Sequence, residues 1–178
     1  MTAPVLSEIT DGIAKITLNR PDKGNALDQK MADALLDAAV RCANDRKVRC
    51  VVLTGAGEML CVGGDIGDFS ASGDAIATVL GRLAGTLHQA MSQFAAMNKP
   101  LISLVNGTAA GAGLSLAISG DIVLADPAAR FTTAYLGIGL TPDGGMTWLL
   151  PRLVGMRVAQ DMIITNRRLD ASEAAAVG

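Results

Sequence analysis

The run from Leu101 to Ser119, LISLVNGTAAGAGLSLAIS, limits what this chain can fold into more than any other stretch, because it carries no charge. An apolar run of that length is nearly enough to span a bilayer. Asn106 and three glycines interrupt it, however, and a buried element of a soluble protein is the better reading. Leu101 to Val105 reads as a buried strand, Asn106-Gly107 as a turn, and Leu114 to Ile118 as an apolar helix, with the small-residue segment Ala109 to Gly113 between them. A strand feeding a glycine-rich turn and then a helix leaves backbone N–H groups unpaired where a ligand oxygen can reach them. Small side chains at Gly111, Ala112 and Gly113 let a ligand approach the main chain closely. The same pattern also describes a tightly packed strand–helix corner with no ligand.

The rest of the chain supplies the surroundings such an element needs. Half of the 178 residues are hydrophobic, with many Ala and Gly and few aromatics, enough for a substantial core in one α/β domain. A net charge of −2 supplies no basic field for nucleic acid or an acidic membrane surface, so neither is expected as a partner. Cys42, Cys50 and Cys61 show no CxxC or other metal-binding spacing, so no metal site is expected. Their odd number, with no basic start or apolar core in MTAPVLSEITDG, predicts free thiols in a cytoplasmic protein.

Read in order, Val5 to Thr10 and Ile13 to Asn19 flank Asp11-Gly12 as a hairpin. Asp28 is placed to cap a helix on which Met31, Ala34, Leu35, Ala38, Ala39 and Cys42 share one face. Cys50 to Thr54 reads as a short buried strand, and Cys61 to Ile66 as a second glycine-containing loop. A long helix runs from Asp74 to about Met97, where Lys99-Pro100 ends it. Ile122 to Ala125 and Arg130 to Thr133 read as strands around an Asp126-Pro127 turn. Pro142 is suited to open a helix from Gly144 to Leu150, with Asp143 as its cap, and further helices follow from Arg157 to Thr165 and from Ala171. Strand and helix alternating at short spacing predict parallel pairing with helical crossovers, and no crisp short-period repeat is present.

Two loops together carry a family resemblance. VVLTGAGEMLCVGGDI and KPLISLVNGTAAGAGLSLAISGDIVLAD are similar to the paired glycine-loop segments of the enoyl-CoA hydratase/isomerase, or crotonase, superfamily. The likeness continues through RPDKGNAL and RFTTAYLGIGLTPDGGMTWLLPRLVG, and so covers nearly the whole chain. It implies a spiral of ββα units with two roughly perpendicular sheets flanked by helices, a homotrimer or dimer of trimers, and an acyl-CoA thioester as substrate. Coenzyme A would enter as part of the substrate, with no separate cofactor. Residues 1–178 would form the spiral core, and the chain stops in an alanine-rich helical stretch where the family continues with further helices.

The resemblance also assigns roles. Negative charge driven onto a thioester oxygen needs fixed N–H donors, each worth about 3–4 kcal/mol, and by position these are the amides of Gly64 and Ala112. Asp65, Ile66 and Gly67 would line the CoA path with Gly64, and Ala26 and Leu27 would lie near the adenine end. For Asp65 a loop-fixing role is the expectation. The two positions at which the family's hydratases carry glutamates read Ser115 and Tyr135 here, which disfavours ordinary hydration. Asp143 matches the carboxylate of some of the family's isomerases, and one carboxylate suffices to move a proton between two carbons. The expectation is therefore a double-bond isomerase with Asp143 as proton shuttle. A second reading, from the resemblance to the family's 4-chlorobenzoyl-CoA dehalogenases, makes Asp143 a nucleophile and His88 its base. A hydratase, or a catalytically silent homologue serving in assembly or RNA binding, completes the alternatives.

Overall fold

The computed structural model describes residues 3–178, and within them the chain winds through repeated strand–strand–helix turns. The hairpin forms as expected: β1 (Val5–Thr10) pairs antiparallel with β2 (Ile13–Leu18) across Asp11-Gly12, both at positive φ. Asp28 caps α1 (Gln29–Asn44), its carboxylate accepting the Met31 amide at 2.8 Å. Met31, Ala32, Leu35, Ala38, Ala39 and Cys42 are the buried residues of that helix; of the face read from sequence, Ala34 is only half-buried, and Ala32 is buried in addition.

β3 (Cys50–Gly55), β5 (Leu101–Val105) and β7 (Ile122–Ala125) extend the hairpin into a five-stranded sheet of order β1-β2-β3-β5-β7, parallel from β2 onward. Each of these three strands is followed at once by a three-residue strand of a second sheet: β4 (Met59–Cys61), β6 (Thr108–Ala110) and β8 (Arg130–Thr132). β9 (Arg168–Asp170) closes that sheet antiparallel to β8, in the order β4-β6-β8-β9. The predicted spiral of ββα units is therefore present, with two sheets flanked by helices. No crisp repeat marks it in the sequence because its turns differ in length. The first carries α2 (Ile66–Ala71) and α3 (Ile76–Ala96), whereas the second carries only α4 (Ala112–Ile118).

Several boundaries differ from the sequence reading. β4 and β6 fall in stretches read as loop and turn, because three residues are too few to show an alternating pattern. The stretch from Asp65 on, read as ligand-lining loop, becomes α2. Asp74 lies in a 3-10 turn, and α3 begins at Ile76. The helix expected from Gly144 starts instead at Met146, as α5 (Met146–Val154). Pro142 does not open it, and the Asp143 side chain makes no cap hydrogen bond to it. Gly144 and Gly145 both take positive φ, which keeps 142–145 out of the helix. α6 (Met156–Thr165) and α7 (Ala171–Val177) follow.

One face of the large sheet is buried in alternation, through Ala14, Ile16 and Leu18 on β2 and Val51 and Leu53 on β3. Leu60 on β4 and Leu114 and Leu116 on α4 are buried as completely. Among the described residues no helix is long and apolar enough to cross a membrane.

Candidate active site

The glycine loop after β4 is held by main-chain hydrogen bonds on both sides of Gly64. The Leu27 amide donates to the Gly63 carbonyl at 2.8 Å, and the Asp65 amide donates to the Leu27 carbonyl at 3.0 Å. A parallel bridge of this kind uses the groups of residues 63 and 65, so the N–H of Gly64 points away from Leu27. Cys61 Sγ accepts the Gly63 amide at 3.4 Å, and burial pushes that thiol up to about 12 despite the amide, so it stays protonated and works as a prop.

Asp65 fixes the other end of the loop. Its Oδ1 caps α2 by accepting the amides of Gly67 and Asp68, and its Oδ2 accepts from Arg20 Nη2 at 2.9 Å. Burial pulls this carboxyl upward, but the Arg20 bond and the capped amide outweigh it and hold it below the usual aspartate value. The loop-fixing role expected for Asp65 therefore has a geometry. Arg20, which the sequence reading passed over, also lies 3.4 Å from Asp28, so one guanidinium ties together the caps of α1 and α2.

The second loop meets the first at Gly111 and Ala112. Gly111 has φ +55° and ψ −129°, a conformation open to glycine and strained for other residues. A side chain there would meet nothing closer than 3.7 Å, so backbone geometry, and not space, demands the glycine. Gly113 is the opposite case: a Cβ would lie 2.2 Å from the Cys61 carbonyl oxygen, so its smallness serves helix–strand packing. A Cβ built on Gly63 would sit 3.6 Å from the Ala112 nitrogen, which shows how closely the two loops abut. Among the described residues, the amides of Gly64 and Ala112 donate to no protein acceptor. With seven residues α4 adds little dipole, and the donor capacity rests on the two amides themselves.

Both residues line one apolar cavity beneath α2 and α3, whose walls include Leu27, Ile66, Phe69, Leu83 and Leu87. Phe69 had no signal in the sequence; its ring packs so closely on Gly64 that a Cβ there would lie 2.5 Å from it. The only polar side chains among the lining residues are Tyr135 and Asp143. Ala26, Asp65, Gly67 and Ser115, expected along the ligand path, lie off this wall, while Leu27 and Ile66 are on it.

Tyr135 and His88 converge on the Asp143 carboxylate, and Ser115 on the main chain behind it. The Tyr135 hydroxyl donates to Asp143 Oδ1 at 2.6 Å, and Ser115 Oγ, fully buried, donates to the Asp143 main-chain carbonyl at 3.0 Å. Burial, then the bond to Asp143, drives the Tyr135 phenol far above its ordinary value, so it is a donor and no base. His88 Nε2 lies 3.1 Å from Asp143 Oδ2 and also 3.1 Å from the Gly144 amide. Asn166, another residue without a sequence signal beyond its place after a helix, accepts the Ala134 amide at 2.8 Å and thereby sets the turn that presents Tyr135.

A carboxylate that lines the same apolar cavity as two residues with unpaired amides offers a group able to move a proton beside donors able to hold a carbonyl oxygen. Comparison with known proteins points the same way. The family model for enoyl-CoA hydratase/isomerase matches residues 8–178. The chain is 37% identical over 171 residues to 1,2-epoxyphenylacetyl-CoA isomerase of Escherichia coli K12, covering 96% of this chain and 65% of that protein. It is 33% identical to 4-chlorobenzoyl coenzyme A dehalogenase-2 of an Arthrobacter species, covering 94% of this chain and 61% of the other. The crystal structure of an enoyl-CoA hydratase from Polaromonas sp. JS666 superposes with a TM-score of 0.91 at 32% identity, covering 98% of this chain and 68% of that one. The chain thus spans about two thirds of the length of these relatives, and over that span both its sequence and its ββα spiral place it in the enoyl-CoA hydratase/isomerase, or crotonase, family.

Proposed function

We propose that this protein isomerises the double bond of an acyl-CoA thioester, with Asp143 carrying the proton and the amides of Gly64 and Ala112 holding the thioester oxygen. The observation that carries this reading is that Asp143 is the sole carboxylate among the residues lining the cavity that both amides border. Abstraction of a proton next to the thioester builds negative charge on its oxygen, and two fixed donors stabilise it by roughly 3–4 kcal/mol each. The same carboxylate then returns the proton to another carbon on the same face. Hydration would need a second carboxylate, and the two positions that could carry one hold Ser115 and Tyr135, both engaged with Asp143. The likeness to 1,2-epoxyphenylacetyl-CoA isomerase supports an acyl-CoA substrate, and a wall that is apolar apart from Tyr135 and Asp143 supports a largely apolar acyl group. Coenzyme A comes with the substrate, and the chemistry needs no metal. Exposed apolar residues on β7 support assembly into a trimer.

The test is a screen of CoA thioesters with mass-spectrometric identification of products, followed by Asp143→Asn on whichever substrate is turned over. The expected result is a shifted double bond at unchanged mass and a loss of about 10²–10⁴-fold in kcat for the variant. Full activity in Asp143→Asn removes the reading.

The 3.1 Å approach of His88 to Asp143 favours one second reading, hydrolytic displacement on an aryl-CoA with Asp143 as nucleophile and His88 as base. That reading predicts halide release and an ester trapped on Asp143 when His88 is replaced.

A further inference from the structure

We propose that His88 acts through Asp143 as the holder of the abstracted proton: the proton taken by Asp143 Oδ2 passes to His88 Nε2, rests there, and returns through the same oxygen. This rests on the isomerase reading above and adds a residue that does not touch the substrate.

The argument starts from who can donate. Gly144 presents a backbone N–H to His88 Nε2 at 3.1 Å, and a backbone N–H can only donate. Nε2 therefore offers its lone pair, and the neutral ring carries its proton on Nδ1. Asp143 Oδ2 lies 3.1 Å from the same nitrogen, and an ionised carboxylate also offers only lone pairs. Before the reaction the one lone pair of Nε2 is taken by the Gly144 amide, and Oδ2 lies beside it as a second acceptor. Once Oδ2 has taken a proton, its O–H can displace the Gly144 amide from that lone pair, and the amide bond re-forms when the proton returns. Oδ1 is already engaged by the Tyr135 hydroxyl, so Oδ2 is the oxygen left to receive it. The arrangement is thus complementary to the state after abstraction, which is the condition for accelerating that step.

The surroundings of the ring fit the same role. His88 is absent from the wall of the apolar cavity, whereas Asp143 is on it. The imidazole instead borders a second cavity, beside Ser92, Asp121, Gly144 and Trp148, with 45% of its side chain exposed. An imidazolium formed there is hydrated from that side, and the substrate side stays apolar. A proton passed to the solvent-facing ring is removed from the apolar side, where the substrate would lie. Every step balances: carbon loses a proton to Oδ2, Oδ2 loses it to Nε2, the amides of Gly64 and Ala112 hold the charge left on the thioester oxygen, and the return path restores all three groups.

His88 is the single histidine of the sequence, so ring-15N labelling of histidine reads this one side chain without assignment. In the free protein at neutral pH the expected spectrum shows Nδ1 protonated and Nε2 as an acceptor, with Nε2 shifting in Asp143→Asn. A ring protonated only on Nε2 overturns the proposal. In kinetics, on a thioester whose isomerisation Asp143→Asn abolishes, His88→Gln should lower kcat by about 10–100-fold with KM within about twofold. Imidazole added to His88→Ala should restore turnover, and furan, of the same size with no basic nitrogen, should not. Wild-type kcat in His88→Gln, or equal rescue by furan, overturns the proposal while leaving Asp143 as the shuttle; full activity in Asp143→Asn overturns the isomerase reading instead.

Discussion

At the scale of single residues, the Asp143 carboxylate is held by neighbours with unequal jobs. Tyr135 secures one oxygen and Ser115 the main chain behind it, while His88 borders the other oxygen. Tyr135→Phe keeps the ring and its packing and deletes one charge-assisted hydrogen bond, so a stability loss of about 1–2 kcal/mol is expected in urea unfolding at neutral pH. A midpoint equal to the unmodified protein's would show that water replaces the hydroxyl without cost. Asp143 also illustrates how one residue type fits two readings. Its place just before a helix suited it to be a cap, yet the glycines that follow swing the chain out of the helix and turn the carboxylate toward the cavity.

At the scale of elements, the junction between β6 and α4 contains two glycines required for different reasons. Gly113 lets α4 lie against β4, and the atom a methyl group would strike at 2.2 Å is a backbone oxygen that cannot easily move. Gly113→Ala is expected to cost about 3 kcal/mol or more. Gly111 has room but an unfavourable backbone conformation for alanine, and Gly111→Ala should cost roughly 1–2 kcal/mol. Chemical denaturation of both variants checks the order; the reverse order would mean that space, and not conformation, governs position 111. The loop bearing Gly64 depends on a comparable pairing at long range, since Arg20 joins the caps of the two helices on either side of it.

At the scale of the whole molecule, the β7 edge of the large sheet is uncovered among the described residues. All four residues of β7 are exposed, with Ile122 at 51% and Leu124 at 56%, on a strand whose one free edge could otherwise pair with another chain. Leu124→Lys is expected to shift sedimentation from an assembled species toward monomer; sedimentation as a monomer in the unmodified protein would remove the proposed trimer.

The sequence by itself determined the elements with enough residues to show a period or a stop signal. The hairpin at Asp11-Gly12, the capped α1 and the strand from Leu101 to Val105 were legible because their alternation, helical spacing and turn residues are local properties of the chain. The paired glycine loops were legible through their motifs, and with them the family; Gly64, Ala112 and Asp143, which the same motifs pointed to, line one cavity. Only the tertiary structure decided the rest. Strands of three residues, β4 and β6, have no period of their own and exist because neighbours across the second sheet satisfy their backbone groups. Nothing local in Arg20 or Asn166 marks them, since each acts on a partner far along the chain: Arg20 on Asp65, 45 positions on, and Asn166 on Ala134, 32 positions back. Phe69 meets Gly64, close to it in sequence, only once α2 folds back over the loop. The pairing of His88 with Asp143, 55 positions apart, was expected from the family resemblance and from no spacing rule along the chain; how α3 and the loop before α5 pack sets its geometry.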